Sequence, residues 1–198
     1  FLVPLLTLAW AVWSAARENI VFSANERVGV QYVQALMPML DAMQQRRRAA
    51  TAQAADLQTK QQQTAKALEA LQKVQAEHGT QLGLGKVWQQ FEGRAQSLAN
   101  IPVLDTPAAT FAAHTQLVEA SFELLNDLAD QSNLTLDPEA HTFYLMDLLV
   151  FRQPQLIETV AQLRGMGNAV LRSGTMDAAQ RDRLLQALAF ARVYSGGL

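Results

Sequence analysis

The chain has no cysteine, which excludes disulfides and thiolate-bound metal. That absence leaves the compartment open, because periplasmic proteins often lack cysteine too. Glycine and proline are scarce, at 10 and 6 of 198 residues, and they gather in a few clusters. An excess of positive charge is also missing: the net charge is -2, so there is no basic footprint for nucleic acid. The three histidines, His78, His114 and His141, never fall in a Glu-x-x-His pair, which argues against a di-iron bundle. No phosphate loop, Gly-x-Ser-x-Gly or His-Glu-x-x-His pattern occurs. These absences point away from an enzyme, and neither cofactor nor metal is expected. What the chain has in quantity is Ala, Gln and Leu, residues that favour long helices. About half of it is hydrophobic, enough for one sizeable core or two small ones.

The opening "FLVPLLTLAWAVWSAA" carries no charge before Arg17. At 1.5 Å per residue it reaches about 24 Å, short of a hydrocarbon core of roughly 30 Å. Three readings stand. Residues 1–16 are the end of a transmembrane helix with Trp10 and Trp13 as interfacial anchors, a signal-segment core, or a buried helix end. The first two put residues 17–198 outside the cytoplasm. The chain begins without methionine and stops at "YSGGL", so the expected domain is incomplete at its carboxyl end.

Periodicity then lays out the helices. Val28, Tyr32, Ala35, Met39 and Ala42 make one apolar stripe, in phase across Pro38, where a bend is expected. A turn at Ala54-Ala55 with Asp56 as N-cap starts the second helix, Leu57 to about Glu77. "HGTQLGLG" marks a break or kink, and helical phase resumes through Leu84, Trp88, Phe91, Ala95 and Leu98. Thr106-Pro107 caps and opens the third helix, with a heptad at Phe111, Thr115, Val118, Phe122, Leu125 and Ala129. Asp137-Pro138-Glu139 opens the fourth: a capping carboxylate, a residue with no N–H to lose, and negative charge at the positive end of the helix dipole. It runs through Phe143, Met146, Leu149, Leu156, Val160 and Leu163, bent near Pro154, to about Arg172. A fifth follows from about Met176 to Tyr194. The predicted fold is all-α: an up-and-down four-helix bundle of long kinked helices, with the fifth helix beginning a further layer.

Arg46, Arg47 and Arg48 advance about 100° each around a helix, so they cannot all face the core. They form a solvated face, pairing with Asp56 or Asp147, or a single arginine turns inward to grip a carboxylate bidentately. With the segment to Leu98 counted into the second helix, the third and fourth helices join at the arginine end. Arg47 then sits level with His141, Tyr144 and Asp147, a candidate pocket for a small organic anion. The alternative there is ordinary interhelical packing. The same topology sets Gly29 against Gly165 and Gly167, predicting close approach of the first and fourth helices beside a Glu26–Arg164 ion pair. Packed helices would hold Gly29 and Gly165 within about 8–10 Å.

Three stretches, "NERVGVQYVQALMPMLDAMQQRRR", "LGLGKVWQQFEGRAQSL" and "DQSNLTLDPEAHTFYLMDLLVFRQPQLIETVAQLRGMG", together resemble the extracytoplasmic sensor region of bacterial methyl-accepting chemotaxis proteins. Related receptor kinases and diguanylate cyclases carry similar regions. The likeness spans about residues 17–167 and is most specific from Leu136-Asp137-Pro138 to Leu163-Arg164-Gly165. Where the family often has His-Arg-Gly and a later Gly-Asp turn, this chain has Arg46-Arg47-Arg48 and Ala55-Asp56, so only Arg47 and Asp56 match. The resemblance implies a non-enzymatic ligand-sensing domain in the periplasm, held at the bacterial inner membrane through its amino-terminal helix. It further implies a homodimer that binds a small molecule and reaches cytoplasmic signalling proteins through regions outside this chain. A second expectation, from a different class, is a bundle that recognises a periplasmic partner protein.

Overall fold

The computed structural model describes residues 2–100, 103–136 and 140–195. Among these there is no strand, and the fold is all-α with helical-bundle packing. The elements are α1 (Leu2–Ala52), α2 (Leu57–His78), α3 (Gly85–Asn100), α4 (Pro107–Gln131), a 3₁₀ turn (Leu134–Leu136), α5 (Ala140–Met146), a π-turn (Asp147–Arg152), α6 (Gln153–Ser173) and α7 (Ala178–Ser195).

The whole of α1 is one helix of 51 residues, about 77 Å long, with Pro38 inside it. Of the expected stripe Tyr32, Met39 and Ala42 are buried and Val28 and Ala35 partly so, while Leu36 and Met43 add to the buried face against α2 and α4. Its first turns instead expose Leu2, Leu5, Leu8, Trp10 and Trp13. Among the described residues no helix is long and apolar enough to cross a membrane.

The turn after α1 falls where alanine and Asp56 place it, yet Asp56 makes no side-chain cap. Its carboxylate instead accepts from Arg48 Nη2 at 2.5 Å across the turn. Thr106 is a true cap: its hydroxyl oxygen accepts from the Ala109 N–H at 3.1 Å, with Pro107 opening the helix. Thr106→Ala should therefore cost about 1 kcal/mol in denaturant unfolding. Asp56→Ala, which loses only an exposed pair, should stay within about 0.5 kcal/mol. Equal losses at the two positions would contradict this distinction.

The segment between α2 and α3 decides the topology. Gly83 adopts φ +66°, the left-handed conformation glycine tolerates best. The Leu84 N–H donates to the Gly79 carbonyl at 3.0 Å, while Leu82 and Leu84 turn into the core. This is a reversal, not a kink. Helix α3 runs back along α2, with Gln72 Nε2 donating to Glu92 Oε1 at 2.9 Å. Trp88, Phe91, Ala95 and Leu98 of α3 join Leu117, Leu124, Leu125 and Leu128 of α4 and the α1 stripe in one core. The α4 heptad buries Val118, Phe122, Leu125 and Ala129 as its spacing predicts.

Because α3 ascends beside α1, α4 must descend. Its carboxyl end meets Gly29: a Cβ there would lie 2.3 Å from Ser132 Oγ and 2.9 Å from Leu134 Cδ1. Gly165 instead lies against Phe111, where a Cβ would come within 2.8 Å of the ring. Phe111 stacks on Arg47, which stands about 27 Å further along α1 than Gly29. The predicted Gly29–Gly165 approach is thus corrected: each glycine admits a different neighbour at opposite ends of the bundle. Glu26 and Arg164 are likewise too far apart to pair.

The Asp137-Pro138-Glu139 helix start lies outside the described residues. Further on, the expected bend near Pro154 is a π-turn. Proline offers no N–H and its ring crowds the carbonyl four residues back, so the preceding turn widens. The Gln153 N–H accordingly reaches the Leu148 carbonyl, five residues back. Asp147 and Arg152, five apart, meet on the widened turn with Nε to Oδ2 at 2.5 Å. After Gly174, Asp177 caps α7 reciprocally: Oδ1 accepts from the Gln180 N–H at 2.7 Å, and Gln180 Oε1 accepts from the Asp177 N–H at 3.0 Å. Helix α7 folds back along α6.

Candidate functional site

The arginine run splits three ways. Arg48 is on the surface with Asp56, one of the two partners expected for it. Arg47 turns inward, 2 % exposed, and grips a carboxylate bidentately. That carboxylate is the chain's own Glu158 on α6: Nη1 donates to Oε1 at 2.6 Å and Nη2 to Oε2 at 3.0 Å. Gln44 Nε2 donates to Oε2 at 3.0 Å and Gln162 Nε2 to Oε1 at 2.6 Å, so both carboxylate oxygens are fully engaged. Arg47 Nη1 also donates to Thr115 Oγ1 at 3.0 Å, and its guanidinium carbon lies 4.9 Å from the Phe111 ring centroid. Every charge here is matched within the fold. The cluster ties α1, α4 and α6 together and leaves Arg47 no free face for an outside anion.

Arg46 is different. It points between α1, α2 and α3 and is 4 % exposed. Nη2 donates to the Leu98 carbonyl, and Nε has no hydrogen-bond partner. Among the described residues no carboxylate lies within ion-pair distance of it. Burial holds its guanidinium below the usual arginine range. It borders a cleft of about 300 Å³ whose lining includes Gln61, Gln62 and Thr64 together with Leu68 and Ala95. Elsewhere in the core Tyr32 donates to Gln75 Oε1 at 2.6 Å, and burial raises its phenol above the usual tyrosine range.

The other three residues expected beside Arg47 do not converge on it. Helix α5, which carries His141 and Tyr144, packs beside the Leu134–Leu136 turn at the Gly29 end. His141 and Tyr144 are exposed there. Asp147 faces Arg152, about 16 Å along the chain axis before Glu158. Sequence reasoning missed Glu158 because it sat in "QLIETVAQL" as one acid among apolar residues. It lies about 200° around the helix from Leu156 and Val160, on the face of the buried Val150 and Pro154, so the expected apolar stripe gave no sign of it. It missed Arg46 because three equivalent arginines give no internal clue to their facing. Among the described residues no cluster of His, Asp and Glu could hold a metal ion.

Comparison with known proteins finds no matching family model, no matching curated protein and no matching solved structure.

Proposed function

We propose that the chain is the ligand-sensing region of a bacterial transmembrane chemoreceptor of the methyl-accepting type, a four-helix bundle with a further helical layer begun by α7. It works in the periplasm as a homodimer, with the amino-terminal turns of α1 at the inner membrane. The observation that carries the reading is the continuity of α1. One unbroken rod joins exposed apolar turns at Leu2–Trp13 to buried arginines over 45 Å away. A shift at the arginine end is therefore delivered to the apolar end along one continuous helix that runs through Pro38. A ligand drives such a shift only through unequal affinity for two helix arrangements. The exposed Leu185, Leu188, Phe190 and Val193 of α7 favour a helical neighbour, as a dimer supplies. Sensor regions of histidine kinases and diguanylate cyclases would use the same rod with a different output. Recognition of a periplasmic protein remains the second reading, favoured by the exposed Phe143 and Tyr144 on α5.

These 198 residues hold no cysteine, so one introduced among them is the domain's single thiol. Gln90→Cys on the exposed side of α3, placed in the full-length protein, should react with a membrane-impermeant maleimide in cells with a permeabilised outer membrane. Labelling that requires breaking the inner membrane would place the domain inside the cell and end the receptor reading.

A further inference from the structure

A charged group out of water requires a countercharge or several well-placed hydrogen bonds, since the desolvation cost is several kcal/mol otherwise. Arg47 meets this requirement with one carboxylate and three hydrogen bonds, and its neighbour Arg46 does not. Arg46 has one carbonyl acceptor, a partnerless Nε, and a cleft of about 300 Å³ beside it. We propose that this cleft between α1, α2 and α3 is a binding site for a short-chain monocarboxylate, with Arg46 holding the carboxylate.

The lining selects within the anions. Arg46 is its one charged side chain among the described residues, so a second carboxylate would be buried without a cation. No acid lines the cleft to receive an ammonium, which disfavours amino acids. Leu68, Ala95 and Leu117 give apolar walls suited to a hydrocarbon tail and unsuited to a hydrated phosphate. Gln61 and Gln62 supply amides that satisfy carboxylate oxygens on the open side. Lys60, which adjoins Gln61 in sequence, donates to Gln45 Oε1 at 2.5 Å and to Gln63 Oε1 at 3.1 Å. The site joins α1 to α2 and α3, so an anion that draws Arg46 toward α2 acts on the long rod itself. This deepens the receptor reading, but binding to the chain is measured without any signalling output.

The experiment is calorimetric titration of the 198-residue chain with butyrate at constant ionic strength, alongside succinate, alanine and inorganic phosphate. Saturable binding of butyrate is expected, tighter than the other three. Arg46→Gln should weaken it by about tenfold or more, the loss of a charge-assisted contact. Arg48→Gln, on the surface two residues away, should leave it unchanged. Should Arg46→Gln fold poorly, Ala65→Phe decides, because it fills the exposed lip of the cleft and leaves the guanidinium intact. No saturable butyrate binding to the parent chain, or affinity unchanged from the parent in both Arg46→Gln and Ala65→Phe, overturns the site. Phosphate, succinate or alanine binding as tightly as butyrate overturns the single-carboxylate assignment. Binding in a protein that faces the cytoplasm would keep the site and remove the receptor reading.

Discussion

Glu158→Gln should lower stability by about 3–5 kcal/mol, the cost of leaving a buried cation without its countercharge. Four donors converge on this carboxylate: two from Arg47 and one each from Gln44 and Gln162. An amide offers one acceptor oxygen and turns its own donor toward the others. For a domain of this size the fall in Tm should be on the order of 10 °C. Arg47→Met together with Glu158→Leu should recover most of the loss, because apolar groups of similar volume avoid desolvating charge. That pair of outcomes separates a pair kept for specificity from one kept for strength. A loss under about 1 kcal/mol for Glu158→Gln would mean water reaches the pair and screens it like a surface bridge. Calorimetric unfolding of the single and double variants measures both.

Gly29→Leu should cost about 2–3 kcal/mol and weaken the seat of the Ser132–Leu134 joint on α1. Even a methyl at Gly29 would lie 2.6 Å from Ser132 Cβ, an atom tied to backbone that cannot swing aside. The comparison that isolates packing from propensity is Gly93→Ala on α3. Nothing lies within 4 Å of a Cβ there, so the substitution should stabilise by up to about 1 kcal/mol through helix propensity alone. Gly29→Ala gains the same propensity and should still come out destabilising. Should Gly29→Ala stabilise as Gly93→Ala does, the joint does not sit where the structure puts it.

Helix identity was legible because it depends on neighbours three and four residues away. Most of the α1 stripe and of the α4 heptad is buried and the Thr106-Pro107 start appears as read, while Asp56 misses its capping role with φ -86° and ψ 4° and its carboxylate on Arg48. Relative placement was not legible, for a discrete reason. "HGTQLGLG" is compatible with a kink or a reversal, and that choice inverts the direction of every helix after it. Taken as a kink, it sets His141 and Tyr144 beside Arg47 and Gly165 beside Gly29. As a reversal, it sends α4 down to Gly29 and brings Glu158 up to Arg47.

The amino-acid order alone determined that this protein is helical, where most of its helices start and stop, and that three consecutive arginines must point in different directions. Periodicity and capping are local physics, complete within a turn or two of chain. Only the tertiary structure decided which arginine meets a carboxylate and which is left facing a cleft. That depends on an acid 111 residues away and on the sense of one glycine turn, neither of which local spacing can register.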